Sequence, residues 1–599
     1  MKKLLIVLLV LTLLLTGCKN VLQPAQTTGP SEGPTGPELF DTPTVDVDFE
    51  KDDDYLFTEG DDKTDYSESD SAVITLAGSS LSSNAPSVQI SGTTATISRA
   101  GTYVLRGQLT DGSIVVNADD KSEVRLILDG ADISSSNSAA VNVISAKKVI
   151  VTIFEGTENS LANGGSFPEA AKGSIDGAVF SKTDLTINGS GSLSVTSPAG
   201  HGIVCKDDLA VTGGKITVHS ASHGLDANDS VRIKGGEVTI DSGKDGVHVE
   251  DADKADTGFV YVSGGSLKIE SEGDGLSAAV TMQISGGTIE ILAGGGYENG
   301  QQHSSGGWGD FMGGGMGPGG QRPSKPRATT TETTEDVTSM KGLKAGTGLL
   351  INGGTITIDS ADDAIHSNSA AVINGGALEI ASGDDGIHAD TDLTITNGTI
   401  NISKCYEGLE AKNVVFSGGD VSLVSTDDGI NAAGGVDGSG EGGRDQMTGS
   451  RFGMGGSSDG SVTISGGKLY IQASGDGIDA NGYLQITGGY TVVCGPNSGD
   501  TATLDYDLTG TITGGVFIGT GSSMMAQSFS AGSQATLAVN AGGQAAGSTI
   551  TVTDAAGNEL LKYTPELAYS VFIYSAPELV AGESYKLVVG SSEGNITAS

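Results

Sequence analysis

The residues of this chain that could do chemistry fall into two columns. Ahead of a recurring glycine (Gly202, Gly224, Gly246, Gly275, Gly342, Gly386, Gly408, Gly429 and Gly477, with Ala364 in one slot) stand His201, His223, Asp245, Asp274, Lys341, Asp363, Asp385, Glu407, Asp428 and Asp476. Two places after it stand Val204, Asp226, His248, Ser277, Lys344, His366, His388, Glu410, Asn431 and Asp479. Asp362, Asp384 and Asp427 add a second carboxylate at three successive corners. If the copies stack as coils, each list becomes a ladder with rungs about 4.8 Å apart. Carboxylates at that spacing repel unless a cation lies between them. Calcium, with oxygen ligands at about 2.4 Å, can bridge two such rungs. The run from Asp362 to Asp428 is therefore the expected Ca2+ site, with Asp245, Asp274 and Asp476 as further ligands. The competing reading is ordinary Asp-Asp-Gly turn chemistry, solvated and free of metal. His366 and His388 would stack one coil apart, but the sequence gives a zinc ion there no third nitrogen or sulfur ligand.

These columns need a scaffold that repeats. Residues 209–230, 371–392 and 462–483 are copies of one 22-residue segment, each with two short alternating strands around a Gly-Gly turn. In Val462-Thr463-Ile464 and Leu469-Tyr470-Ile471 the aliphatic side chains share one face. A fixed period in the twenties marks a solenoid. Three short strands and three turns per copy fit a parallel β-helix, an all-β fold with about 22 residues per coil. The Leu-rich strand and Asn ladder of leucine-rich repeats are missing, and so is the nine-residue period of calcium β-rolls. Between Pro198 and Pro496 the prolines are Pro318, Pro323 and Pro326, all within an insertion, so none breaks a ladder strand. The 94 glycines are expected to supply positive φ at the coil corners.

Five segments follow from this pattern. Residues 1–18 carry two lysines, an apolar run and Leu15-Thr16-Gly17-Cys18, a bacterial lipoprotein signal with lipidation expected at Cys18. Residues 19–70 are rich in Pro, Gly, Thr and Asp and read as a flexible tether. Residues 71–180 read as an N-terminal β cap and the first coils, 181–513 as the regular β-helix, and 514–599 as a small C-terminal β module. Two Gly-rich insertions, about 294–339 and 434–460, cannot form a core and are expected to be disordered; Trp308 lies in the first. The expected location is the extracellular face of the envelope, with membrane contact through the lipid alone. Cys205, Cys405 and Cys494 give no disulfide framework. The net charge of −42, from 74 acidic and 32 basic residues, excludes a nucleic-acid partner and favours cation binding. A monomer is expected.

Longer motifs carry a resemblance. AGTYVLRGQLTDGSIVVNADDKSEVRLILDGADI, GTENSLANGG, GHGIVCKDDLAVTGG, SHGLDANDSVRIKGG and KDGVHVEDADKADTGFVYVSGGS resemble the bacterial lipoproteins called carbohydrate-binding domain-containing proteins. The likeness covers about residues 45 to 599. It implies a secreted, right-handed β-helix associated with bound calcium and with cellulose and pectic polysaccharides. The calcium-binding acids that it implies fall on the Asp-Gly corners named above.

Two further chemistries compete with binding. Gly200-His201-Gly202 and Arg232-Ile233-Lys234 match two polygalacturonase elements, but both lie within the repeat register, and the Asn-Thr-Asp element that supplies a catalytic acid does not precede them. Calcium-dependent pectate lyases place an Arg or Lys base beside the metal; Arg232, the only Arg of the regular coils, lies outside the acidic run. Paired carboxylates suit glycoside hydrolysis, yet here they recur at nearly every rung. The sequence therefore points to a binder and not an enzyme. A surface spacer or adhesin would share the rod and anchor, and exposed aromatic rings would separate the two. Tyr261, Tyr470, Tyr483 and Tyr490 are the carbohydrate-binding candidates, with Tyr261 and Tyr470 expected to face outward because they alternate with inward aliphatics.

Overall fold

The strand Lys215–Ser220 pairs in parallel with Glu237–Ser242, and that strand with Ser266–Ser271, in unbroken register. Within these strands Ile216, Val218, Val238, Ile240, Leu267 and Ile269 alternate with polar residues and are buried, so one face of every strand points into a shared interior. Two more columns run beside this one. Leu225–Ala227 pairs with Val247–Val249 and then Leu276–Ala278, and Ser230–Ile233 pairs with Phe259–Val262 and then Thr281–Ile284. Each strand thus finds its parallel neighbour three strands on, and the fold is an all-β, solenoid-like stack with one long parallel-rich sheet. No coil can bury its aliphatics alone; stacking buries them in one continuous core from Ile74 to Ile573. Each buried Val, Leu or Ile contributes about 1.5–3 kcal/mol.

This is a computed structural model, and it describes residues 51–167, 175–252, 256–300, 339–433, 460–497, 499 and 501–599. The expected leader with Cys18, residues 19–50 of the expected tether, Trp308, Pro318, Pro323, Pro326 and most of both Gly-rich insertions lie outside the described residues. The first insertion begins as an ordered turn, Tyr297–Asn299, in which the Tyr297 N–H donates to Asp359. Among the described residues no helix is long and apolar enough to cross a membrane.

Glycine serves two purposes here, and only one was expected. Positive φ occurs at the second glycine of the Gly-Gly turns, as at Gly236 (φ 93°) and Gly376 (φ 99°), and not at the corner glycines. The corner glycines exist for space. A Cβ on Gly224 would lie 2.3 Å from Ile240 Cγ2 and 2.6 Å from the Gly246 carbonyl oxygen of the next coil.

Both ends of the stack turn antiparallel. Ala72–Gly78 pairs with Leu81–Ser83 and Val88–Ser91 with Thr94–Ile97 at the start. At the far end Val516–Gly521 pairs antiparallel with Tyr569–Ser575, and a separate four-stranded sheet packs around Ile550, Val552 and Leu587. Such strands cover edges that the parallel ladder would otherwise leave open.

Residues 51–66 overturn the expectation of a tether up to residue 70. They lie along the outer face of one sheet. Leu56 and Phe57 are buried against Ala210, Phe259 and Tyr261. Asp61 is only 1% exposed; its carboxylate meets Lys148 Nζ at 2.5 Å and accepts the Thr186 hydroxyl at 2.5 Å. Asn188 and Thr212 donate to the Asp61 carbonyl, and Lys51 exchanges two hydrogen bonds with Gln283. Burial alone would raise the Asp61 carboxyl, but the bonds from Lys148 and Thr186 outweigh it and lower it below the ordinary carboxylate range. The polar composition concealed three anchors, Leu56, Phe57 and Asp61, each of which has a distant partner. Asp61→Ala should destabilise the protein by roughly 3 kcal/mol, because it leaves Lys148 without its buried partner. It should also open residues 51–66 to limited proteolysis. Asp62→Ala, which removes an exposed pair to Lys234, should cost less than about 1 kcal/mol. Equal protease resistance of Asp61→Ala and the parent would refute this anchoring.

Candidate functional site

Both columns form as the spacing demands. The register runs Val204, Asp226, His248, Ser277, Lys344, His366, His388, Glu410, Asn431 and Asp479, each opposite the next, and continues to Asp505. The corner column is a hydrogen-bonded chain. Asp245 accepts the Asp274 N–H, Asp274 the Lys341 N–H, Asp363 the Asp385 N–H, Asp385 the Glu407 N–H, and Asp428 the Asp476 N–H. Asp476 in turn accepts the Ala502 N–H. The corner carboxylates are not the solvated turn residues of the bland reading. Asp274, Asp363 and Asp385 are buried, and each caps a backbone donor of the following coil.

The middle of the expected calcium run already holds cations of the protein itself. Lys341 is fully buried, with Nζ 2.6 Å from Asp363 and 3.1 Å from Asp362. Lys344 lies 3.4 Å from Asp274, and His366 Nδ1 lies 2.8 Å from Asp363. Burial works against the Asp363 charge, but Lys341 and His366 hold its carboxyl well below the usual range. Asp362 is pushed up to about 7 by burial and by Asp363 beside it. His388 sits among Glu410 (2.6 Å), Asp390 (3.2 Å) and Asp385 (3.3 Å). These carboxylates overcome its burial and raise the imidazole well above its ordinary value. Asp385 goes up as well, from burial and from Glu410 and Asp384 nearby. His366 and His388 do stack, with ring centroids 4.9 Å apart, and the third group beside them is the Asp363 carboxylate, an oxygen donor and not the nitrogen or sulfur that the sequence lacked. The second ring nitrogens are spent on Asn368 and Asp390.

Further along, the balance changes. Burial and the neighbouring Glu410 and Asp428 push Glu407 well above the carboxylate range. Asp428 rises to about 8 through burial and repulsion from Asp476 and Asp427, and Asp479 to about 7 through burial, Asp476, Asp505 and Asp507. Among the described residues no Lys, Arg or His pairs with Asp428 or Asp479. Asn431 stands between Glu410 and Asp479 in the register; its Nδ2 donates to Glu407, and its Oδ1 is buried with no hydrogen-bond partner among the described residues. Sequence reasoning placed Asn431 and Asp479 in the column but not among the ligands, and it missed Asp505 and Asp507. An irregular spacing after Asp479 hid the last rung.

The tyrosines divide. Tyr261 is buried, 3% exposed, beneath Phe57 of the covering segment, so the expectation that it faces solvent is wrong. Tyr470 is half-buried against the C-terminal module, which also removes it as a stacking platform. Tyr483 (36%) and Tyr490 (45%) are exposed. Of the polygalacturonase-like elements, His201 stacks on His223, Arg232 pairs with Asp208 at 2.7 Å and donates to the Leu56 carbonyl, and Lys234 pairs with Asp62.

The fold and its polar ladders define a parallel β solenoid with a buried, charged corner edge. Comparison with known proteins gives its family. The profile described as carbohydrate-binding domain-containing protein matches residues 91–386 and 371–449, and the chain belongs to that family. A carbohydrate-binding domain-containing protein of Acetivibrio thermocellus is 34% identical over 124 residues, which are 20% of this chain and 43% of that relative. A solved structure described as a polysaccharide lyase-like protein from C. thermocellum, in a gadolinium derivative, is 31% identical. It covers 38% of this chain and 92% of its own, with a TM-score of 0.37.

The raised carboxyls set the pH dependence. A group whose folded pKa exceeds its unfolded value near 4 adds stability at low pH that is lost as pH rises through the folded value. Asp428 and Asp479 place that loss between about pH 4 and about 8. In chelator, the melting temperature should fall from pH 5 to pH 8, and Asp428→Asn with Asp479→Asn should flatten the slope. A parent protein equally stable at both ends of that range would contradict this assignment.

Proposed function

We propose that this chain is a non-catalytic, calcium-dependent polysaccharide-binding protein at the outer face of a bacterial envelope, anchored through lipid on Cys18. On this reading it is a right-handed parallel β-helix of about 22 residues per coil. Family membership supports polysaccharide as the partner. The observation that carries the calcium reading is the end of the column where Asp428 and Asp479 pair with no cation among the described residues. There, buried carboxylates raise one another's pKa and an orphaned amide oxygen lies among them. Asp428, Asp479 and Asn431 Oδ1, with Glu407 and Asp427 beside them, would hold the ion; an all-oxygen donor set of this kind suits calcium. Bound there, calcium supplies charge neutralisation and open coordination positions for sugar oxygens. Asp362, Asp363, Asp384 and Asp385 would instead be served by Lys341, His366 and His388, and Asp245 and Asp274 by His248 and Lys344.

The acidic column favours an acidic, pectic-type polymer that needs a cation to approach it. Catalytic silence draws support from Arg232 and Lys234, the basic side chains a lyase or polygalacturonase would need, which are both held in ion pairs beneath or beside the covering segment. Tyr483 and Tyr490 offer exposed rings for a neutral glucan.

Retention on immobilised polygalacturonate should require calcium and disappear with chelator, and Asp428→Asn with Asp479→Asn should abolish it. Retention on neutral glucan should be weaker, indifferent to chelator, and reduced by Tyr483→Ala or Tyr490→Ala. Equal retention on polygalacturonate with and without chelator would refute the calcium link. Binding to neither polymer would favour a structural spacer. Incubation with polygalacturonate should release no reducing ends and no unsaturated product. Turnover that survives repurification and vanishes in His201→Ala would establish an enzyme instead.

A further inference from the structure

His201 and His223, at the start of the corner column, hold no ion in that reading. His201 and His223 are successive corner residues. Asp226 lies three places after His223, and His248 faces Asp226 across the parallel register. The rings form a stack, with His201 and His223 centroids 5.1 Å apart and His223 and His248 centroids 4.2 Å apart. Donor atoms of His201, His223 and Asp226 lie within 4.8 Å of one another, and so do those of His223, Asp245 and His248.

The groups around this stack prepare it for an ion. The Asp245 carboxylate lies 3.3 Å from His223 Nδ1 and 2.9 Å from His248 Nδ1, and the Asp245 N–H is 3.2 Å from the same His223 nitrogen. The two contacts to His223 Nδ1 ask for opposite tautomers: accepting from the Asp245 N–H puts the proton on Nε2, whereas donating from Nδ1–H to the Asp245 carboxylate leaves Nε2 as a donor for an ion. A carboxylate on the second nitrogen is the usual support of a metal-bound imidazole. His201 Nδ1 is buried with no hydrogen-bond partner among the described residues. The stack is still reachable from solvent, with the His223 side chain 12% and that of His248 26% exposed. The His366–His388 pair differs on both counts, since each side chain is 3% exposed and both nitrogens of each ring already face an oxygen.

Donor chemistry names the ion. Calcium takes oxygen ligands, whereas imidazole suits zinc, nickel and copper. Two imidazoles and a carboxylate, with one position left open, form a donor set that zinc accepts. We propose that His201, His223 and Asp226 bind a divalent transition ion of the zinc class, with Asp245 orienting His223. Lys206, 3.3 Å from Asp226 and 3.7 Å from Glu250, is the cation that such an ion would displace.

The test uses the full chain in millimolar calcium with Zn2+ and Co2+ as probes. Equilibrium dialysis should find a zinc ion per chain that calcium does not displace. Cobalt should give the intense visible bands of a four-coordinate nitrogen-oxygen site. His201→Gln and His223→Gln should each weaken zinc binding at least tenfold. Asp245→Asn, which keeps an oxygen for the Asp274 N–H and leaves all three ligands in place, should weaken it about tenfold through His223, and His388→Gln should leave it unchanged. Absence of stoichiometric zinc binding by the folded parent would overturn the proposal, as would a cobalt spectrum of six-coordinate type. Zinc binding lost in His388→Gln and kept in His201→Gln would also overturn it. Should His223→Gln fail to fold, the cobalt spectrum of the parent and the Asp245→Asn affinity still decide.

Discussion

At each corner of the stack a backbone N–H points at the coil before it, and on most rungs from Asp245 to Asp476 a carboxylate receives it. Buried backbone donors must be satisfied, and on these rungs the side chain of the preceding corner residue supplies the oxygen. The glycine that follows keeps the coils close, since a Cβ there would strike the next coil's carbonyl and inward aliphatic. Close stacking thus favours an acceptor at most corners; after Lys341, which cannot accept, the Asp363 N–H turns to Asp362 instead. A series of Asp and Glu meets that demand and creates a second problem, a line of negative charges one rung apart.

The protein answers that problem differently along its length. From Asp245 to Glu410 the neighbouring column brings His248, Lys344, His366 and His388 against the corner acids, while Lys341 occupies a corner itself. The charges there are neutralised internally. Beyond Glu410 the neighbouring column turns to Asn431, Asp479 and Asp505, and among the described residues no Lys, Arg or His pairs with Asp428 or Asp479. The same structural requirement yields a self-contained ion network in one stretch and an unsatisfied one in the next. Breaking a buried pair is costly because it strands a charge, so Asp428 and Asp479, which pair with no cation among the described residues, are where an external cation would gain most.

Much of this was legible in the sequence, because a fixed period also fixes the register. Every member of the Val204-to-Asp479 column meets the neighbour that the spacing assigned to it. The positions of Lys341, His366 and His388 were equally plain; what went unread was that these cations lie against the same carboxylates that were expected to hold calcium. Coverage of the outer faces could not be read at all. An outward residue on a solenoid strand looks exposed unless another segment lies over it, and such a segment carries no period. Tyr261 lies beneath Phe57, and Tyr470 lies against the C-terminal module, through contacts far apart in the chain. Asp61 in turn is buried by Lys148 and Thr186, so a stretch with the composition of a tether became part of the fold.

That coverage also narrows where a charged polymer can meet the protein. Residues 51–66 close one outer sheet face over Ala210, Arg232 and Tyr261. Another face carries ion pairs between successive rungs, Lys215 with Glu237, Lys268 with Glu290 and Lys468 with Asp420. Exposed pairs of this kind add little stability, but they leave the face locally neutral. The corner edge near Asp428 and Asp479 is a place where negative charge is concentrated and where, among the described residues, neither carboxylate pairs with a cation. Attraction of an anionic glycan to that edge is impossible without a cation, and salt screening over about 10 Å removes repulsion without supplying attraction. The constraint that the corner N–H groups impose on the backbone therefore also decides where buried carboxylates gather, and so which surface would need an ion on the proposed reading.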